Sequence, residues 1–284
     1  YGLSGISGLG NEAVTISDTT SAANVSGILS KTSGVVTATV TSDTAASLNS
    51  ALTNTTGNDA LTLTVTGTAA ATDLTALDWK TSVNVGATAV TTITGTQAQV
   101  VAINVGTITT SGNYAVTLSD TSLSAAAIKT VNTQNGTGAI DISSVTTITS
   151  STAADVLEIV NNTNSTFTTA ANYAVTLSGI SSASDVNTIV NDTTGIVTAT
   201  VTEATAASLN SALANASSTD ALTLTLTDTA LASADDLIAL DGKTSVTVNA
   251  GSVTSVTDTY ADINTLYGLS GISGLGNEAV TISD

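Results

Sequence analysis

The chain has no cysteine, histidine, proline, methionine or arginine, and aromatic residues make up only 2% of it. Each absence removes a class of function. Without histidine and cysteine there is no Ser-His-Asp or Cys-His triad, no thiolate nucleophile and no ordinary zinc site. Without cysteine no disulfide staples the fold. Positive charge is nearly missing: Lys31, Lys80, Lys129 and Lys243 stand against 22 acids, for a net charge of −18. So acidic a surface disfavours nucleic acid, whose phosphates need a basic partner, and anionic membranes. No apolar run approaches the length that spans a bilayer, so no membrane insertion is expected. The hydrophobic fraction of 42% is nevertheless that of a folded protein, not a disordered one.

What is present is repetition. The stretch YGLSGISGLGNEAVTISD occupies residues 1–18 and recurs without change at 267–284. With no methionine at the start, this reads as a window on a longer polypeptide with a period of 266 residues, 267–284 opening the next period. Within the period, VVTATVTSDTAASLNSAL at Val35 matches IVTATVTEATAASLNSAL at Ile196, and DALTLTVT at Asp59 matches DALTLTLT at Asp220. LTALDWKTSVNV at Leu74 matches LIALDGKTSVTV at Leu237. These matches divide one continuous array, 1–284, into a first half-repeat over 13–113, inserted units over 114–173 and a second half-repeat over 174–278.

A finer unit runs beneath: strand, polar turn, short helix, polar turn. In VVTATVT, Val36, Ala38 and Val40 share one face and Thr37, Thr39 and Thr41 the other; Leu61, Leu63 and Val65 oppose Thr62, Thr64 and Thr66. That is the period of two of a half-buried strand. The period then changes. Ala45, Leu48 and Leu52 fall at helical spacing, as do Val156, Ile159 and Val160, and Val186, Ile189 and Val190. Thr152 with Asp155, Ser182 with Asp185, Ser233 with Asp236 and Thr259 with Asp262 fit a capping signal at helix starts. Gly34, Gly57, Gly138 and Gly195 precede strands, where a left-handed residue is expected. Residues 83–95 and 246–258 are too long for one strand, and a bend, bulge or second strand is expected there, with Gly86 and Gly251 as pivots.

Strand, helix and strand in succession imply parallel pairing through right-handed crossovers. The expected fold is therefore α/β: a solenoid of about ten strand–helix coils, with apolar faces on the helices and threonine faces outward. An all-β parallel β-helix is the alternative.

GISGLGNEAVTISDTT, TAADV, LIALDGKTSVTVNAGSVTSVT and GIVTATVTE resemble the repeats of giant cell-surface proteins of marine picocyanobacteria, often called hemolysin-type or β-strand repeat proteins. The resemblance covers nearly the whole chain. It implies an extracellular or cell-surface repetitive surface or filament protein. With the catalytic residue types missing and the solenoid ends open, the expected function is a non-enzymatic filament, stalk or surface layer whose partner is itself, end-to-end or lateral. The calcium-binding GGxGxD nonapeptide common in hemolysin-type proteins is absent, so calcium does not carry over with the resemblance.

Five features carry candidate chemistry. Asp18, Asp120, Asp228 and Asp258 follow strands; stacked in adjacent coils they would make a calcium ladder, calcium being the one cofactor left open. Turn and helix-cap duty is the favoured reading of the same residues. The T-x-T rows resemble ice-binding surfaces, against the plain reading that threonine suits an exposed strand face. Asp235 and Asp236 form an acid pair at a helix start, where caps are expected and catalysis is not. Trp79, which stands where the second half-repeat has Gly242, is read as packed locally in a turn, with anchoring of a partner as its functional alternative. Asn24, Asn54, Asn161, Asn164, Asn191 and Asn215 head N-x-S/T triplets that chance produces in such a composition. Glycans remain as partners, and an inert spacer or an ice- or calcium-binding module as alternative functions.

Overall fold

The computed structural model describes residues 7–284, the side chain of Val105 excepted. The first six residues of the opening copy, YGLSGI, lie outside the described residues. Among the described residues ten α-helices alternate with strands, and every described strand pairing is parallel. The protein is thus a mixed α/β chain, and the helices exclude the all-β alternative. The chain forms two compact units: residues 1–120, 130–144 and 164–168 in one, and 121–129, 145–163 and 169–284 in the other.

In the first unit a three-stranded sheet runs Val14–Thr15, Val36–Thr39, Ala60–Thr62. Val14 faces Val36 and Thr37 faces Ala60, each step carrying the chain through one helix, Ala22–Leu29 and then Ala45–Ala51. A six-stranded sheet continues the pattern, with Thr92 facing Ala115 and Val116 facing Ile140. In the second unit a five-stranded sheet sets Val175 against Val197 and Ala199 against Leu222. A three-stranded sheet ends on Ala279–Ile282, where Val256 faces Val280.

The alternation in the sequence decides what is buried. Val36, Ala38 and Val40, Leu61, Leu63 and Val65, and Val197, Ala199 and Val201 are all within a few per cent of full burial. The threonines between them face water, Thr66 being half-buried. The helices bury Leu48, Val156, Ile159, Val186 and Ile189 against these strands, while Val160 is half-buried. Helices of seven to ten residues are too short to persist alone in water, so this burial is what holds them. The two long segments part company. Val85–Gly95 is one strand that contains Gly86, and its register against Thr64–Ala70 shifts twice. Residues 246–258 break into Val248–Asn249 and Ser255–Asp258, with Gly251 in the turn between them.

Helix caps follow the predicted signal at three of four sites. Thr152 accepts from the Asp155 N–H at 3.1 Å, Ser182 from Asp185 at 3.1 Å and Thr259 from Asp262 at 3.3 Å. Ser233 instead donates to the Asp258 carboxylate at 2.9 Å and makes no side-chain bond to its own helix. The glycines need a different correction. Gly57 is left-handed, with φ of 76°, but Gly34, Gly138 and Gly195 are not. They are small because another segment passes against them. A β-carbon would meet the Glu12 carbonyl oxygen at 2.3 Å from Gly34, that of Tyr114 at 2.0 Å from Gly138, and that of Tyr173 at 2.3 Å from Gly195.

Two buried aspartates lock neighbouring strands together. Asp59, 1% exposed, accepts from the Val36 N–H at 2.8 Å and, through its other oxygen, from the Thr56 N–H at 2.9 Å. Asp220 does the same with Val197 at 3.1 Å and Ser217 at 3.0 Å. Thr81 and Thr244 complete the arrangement, each accepting from one strand N–H and donating to that residue's carbonyl, Leu61 and Leu222 respectively.

Gly195→Ala is expected to lower the urea midpoint, by the equivalent of more than about 1 kcal/mol, because its methyl has backbone in its way. Gly27→Ala, in open space within the helix Ala22–Leu29, should raise stability by about 0.5–1 kcal/mol. Equal effects at the two positions would contradict the packing described.

Candidate functional site

The four predicted calcium aspartates do not form one ladder. Asp120 accepts from the Gln97 N–H at 2.6 Å, at the start of the helix Gln97–Ala102. Asp228 accepts from the Ala206 N–H at 2.8 Å, at the start of Ala206–Ala212. Asp258 accepts from the Asp235 N–H at 3.3 Å as well as from Ser233. Each carboxylate follows one strand and reaches the positive end of the helix that precedes that strand. Asp284 does this for Tyr260 at 2.9 Å. Asp18, the same residue in the other copy, is exposed. The cap reading of these aspartates therefore gains a geometry: a carboxylate from the following strand adds to the hydroxyl of the helix's own N-cap residue at Thr96, Thr205 and Thr259, and stands in for it at Ser233.

One place does gather acids. Ligand oxygens of Asp235, Asp258 and Asp262 lie within 4.8 Å of one another, the one such group of three among the described residues. Of the predicted set only Asp258 belongs to it. The negative charges of Asp262 and then Asp258 push the Asp235 carboxyl above the usual aspartate range. Asp258 is held below that range, first by the Ser233 hydroxyl and then by the Asp235 N–H. Asp262 accepts from the Thr259 hydroxyl at 2.5 Å.

The other acids are similarly engaged. Asp236, the second member of the predicted acid pair, accepts from the Asn210 amide at 2.8 Å, as Asp73 does from Asn49 at 3.1 Å. Lys129 is salt-bridged to Glu158 at 2.7 Å and Asp155 at 3.2 Å. A polar groove of about 420 Å³ lies between residues 190–195 and 215–220. Its Asp192 accepts from the Tyr173 hydroxyl at 2.6 Å, and its Asp220 is bound to backbone. Burial, reinforced by Asp192, pushes the Tyr173 phenol far up.

The threonine rows are short. Thr15 faces Thr37, but Thr37 faces Ala60; Thr176 faces Thr198, but Thr198 faces Ala221. The alanines end these two rows after two rungs, while Thr39 faces Thr62 and Thr200 faces Thr223 in rows of two. Trp79 is not packed in its turn: it is 78% exposed and lines a groove of about 390 Å³ with Thr56, Gly57, Asn58, Asp78 and Thr81.

Sequence reading did not single out Asp59 or Asp220 as special. The repeated D-A-L-T-L-T text was the available signal, since an acid opening a fully apolar strand face needs buried partners.

If Asp228 is a helix cap, Asp228→Ala lowers stability by about 1 kcal/mol equally in calcium and in chelator. A loss seen only in calcium would make it a ligand. The Asp235 shift has a second consequence. A carboxyl whose folded pKa is raised opposes folding increasingly as the pH climbs past its unfolded pKa, and fully once the folded pKa is passed. Asp235→Asn should therefore raise the melting temperature at pH 7, and the gain should vanish below about pH 4, where the unfolded carboxyl also keeps its proton. A gain of the same size at both pH values would put its cause outside charge repulsion.

No protein-family model, curated protein or solved structure matches this chain.

Proposed function

We propose that this is a non-enzymatic structural protein, an α/β solenoid whose stacked coils build an extracellular filament, stalk or surface layer. The observation that carries the reading is the double life of one segment. As Val14–Thr15 it pairs with the strand that follows it, Val36–Thr39. As Ala279–Ile282, in an identical stretch of sequence, it pairs with the strand that precedes it, Ser255–Asp258. The same residues thus accept a parallel neighbour on either edge. A segment that can sit between two such neighbours suits a structure propagated period after period.

The parallel pairings and the caps supplied from the following strand support the same reading. Both are contacts between successive steps, as a one-dimensional array requires. The acidic, threonine-rich exterior keeps such an array soluble and its sides apart. The resemblance to picocyanobacterial surface repeats supports the extracellular placement. No described helix is long and apolar enough to cross a membrane.

Negative-stain electron microscopy of the purified chain, in calcium and then in chelator, tests the proposal. Long uniform fibres in both are expected, since strand edges and apolar faces drive the assembly. Short single particles at high concentration in both would contradict self-assembly and leave the role of a spacer.

A further inference from the structure

Trp79 is the sole tryptophan, and it ends the helix Ala71–Asp78. The equivalent residue in the second half-repeat, Gly242, ends Ala234–Asp241 with nearly the same backbone angles: φ −73° and ψ −6°, against −73° and −13° at Trp79. The turn therefore forms without an indole. A second difference accompanies the first. Gly57 stands where the second half-repeat has Ser218. Gly57 is left-handed, and a β-carbon there would lie 2.9 Å from the Trp79 carbonyl oxygen. Glycine and tryptophan in one half-repeat replace serine and glycine in the other, and an open groove lies where they meet.

We propose that Trp79 and this groove bind a neutral β-1,4-linked hexopyranose chain. An all-equatorial sugar ring has a flat C–H face, slightly positive, that suits the negative face of an exposed indole. The hydroxyls at its rim need donors and acceptors together. The Asn58 amide offers both, and Asp78, whose Oδ1 accepts from the Thr107 hydroxyl, offers its second oxygen as an acceptor. The groove, about 390 Å³, lies within the range of roughly 300–1,000 Å³ for small-ligand sites. The charge of −18 turns away sulfated and uronic chains and selects neutral ones. An organic cation is the rival occupant, since an indole face attracts it too. It has no use for the amide donor, and the one carboxylate lining the groove, Asp78, already accepts from the Thr107 hydroxyl. One weak site per 266-residue period becomes an avid surface when periods are joined.

The sole tryptophan reports on its own site. Cellohexaose titrated into the full-length chain should change the Trp79 emission saturably, with half-saturation at roughly 1 mM or below. Calorimetry should show binding to the native chain and at least a tenfold loss for Trp79→Gly. That variant keeps its melting temperature, because glycine already serves at Gly242. A linear, non-saturating response to cellohexaose would overturn the proposal. So would equal binding by Trp79→Gly, or saturation by tetramethylammonium but not by the sugar.

Discussion

Backbone hydrogen bonding between one short strand and the next strand in sequence is the constraint on which the rest of the structure depends. A three-residue strand such as Ala60–Thr62 has nothing local to pair with. Its partner lies one helix away along the chain, at Val36–Thr39. Buried amide and carbonyl groups left unpaired cost more than the few apolar contacts of one step can offset. Each strand–helix step is thus stable only beside another. The Val and Leu faces that bury against the helices are laid down by the same pairing, because it fixes which side of each strand faces in.

The polar residues follow from that constraint. Asp59 and Asp220 are nearly fully buried, a costly position for a carboxylate, and each is fully occupied by neighbouring N–H groups. They stitch a strand to the one before it where ladder pairing begins. Asp120, Asp228 and Asp258 stitch at the other end, joining the end of one strand to the helix that precedes it. The cap duty favoured for these acids from the sequence is thus met across steps, each carboxylate reaching a helix other than the one beside it in sequence. This is also why an acidic chain with few basic residues folds: backbone dipoles, not lysines, receive much of its negative charge.

The elements with local causes were legible. Period-two alternation placed Val36, Ala38 and Val40 inside, and the S/T-x-x-D signal found the caps at Thr152, Ser182 and Thr259. What escaped depended on neighbours distant in sequence. Gly34, Gly138 and Gly195 read as left-handed turn residues, but the Glu12, Tyr114 and Tyr173 carbonyls pressing on them are what demand glycine. Ser233 looked like an ordinary cap, yet the Asp258 carboxylate competes for its hydroxyl. Two related long segments, around Gly86 and Gly251, differ in whether the strand breaks, which short text similarity does not encode. Trp79 read as a packed turn residue because exposure, unlike alternation, has no periodic signature.

The most direct measurement of coupling between successive strand–helix steps is hydrogen exchange on the Asp59→Ala variant compared with the native chain. If strands hold one another, protection falls across Val36–Thr39 and Ala60–Thr62 together, and the loss fades with each further step along the chain. If protection drops only at residues 56–59, next to the substitution in sequence, the steps are independent and the central claim is wrong.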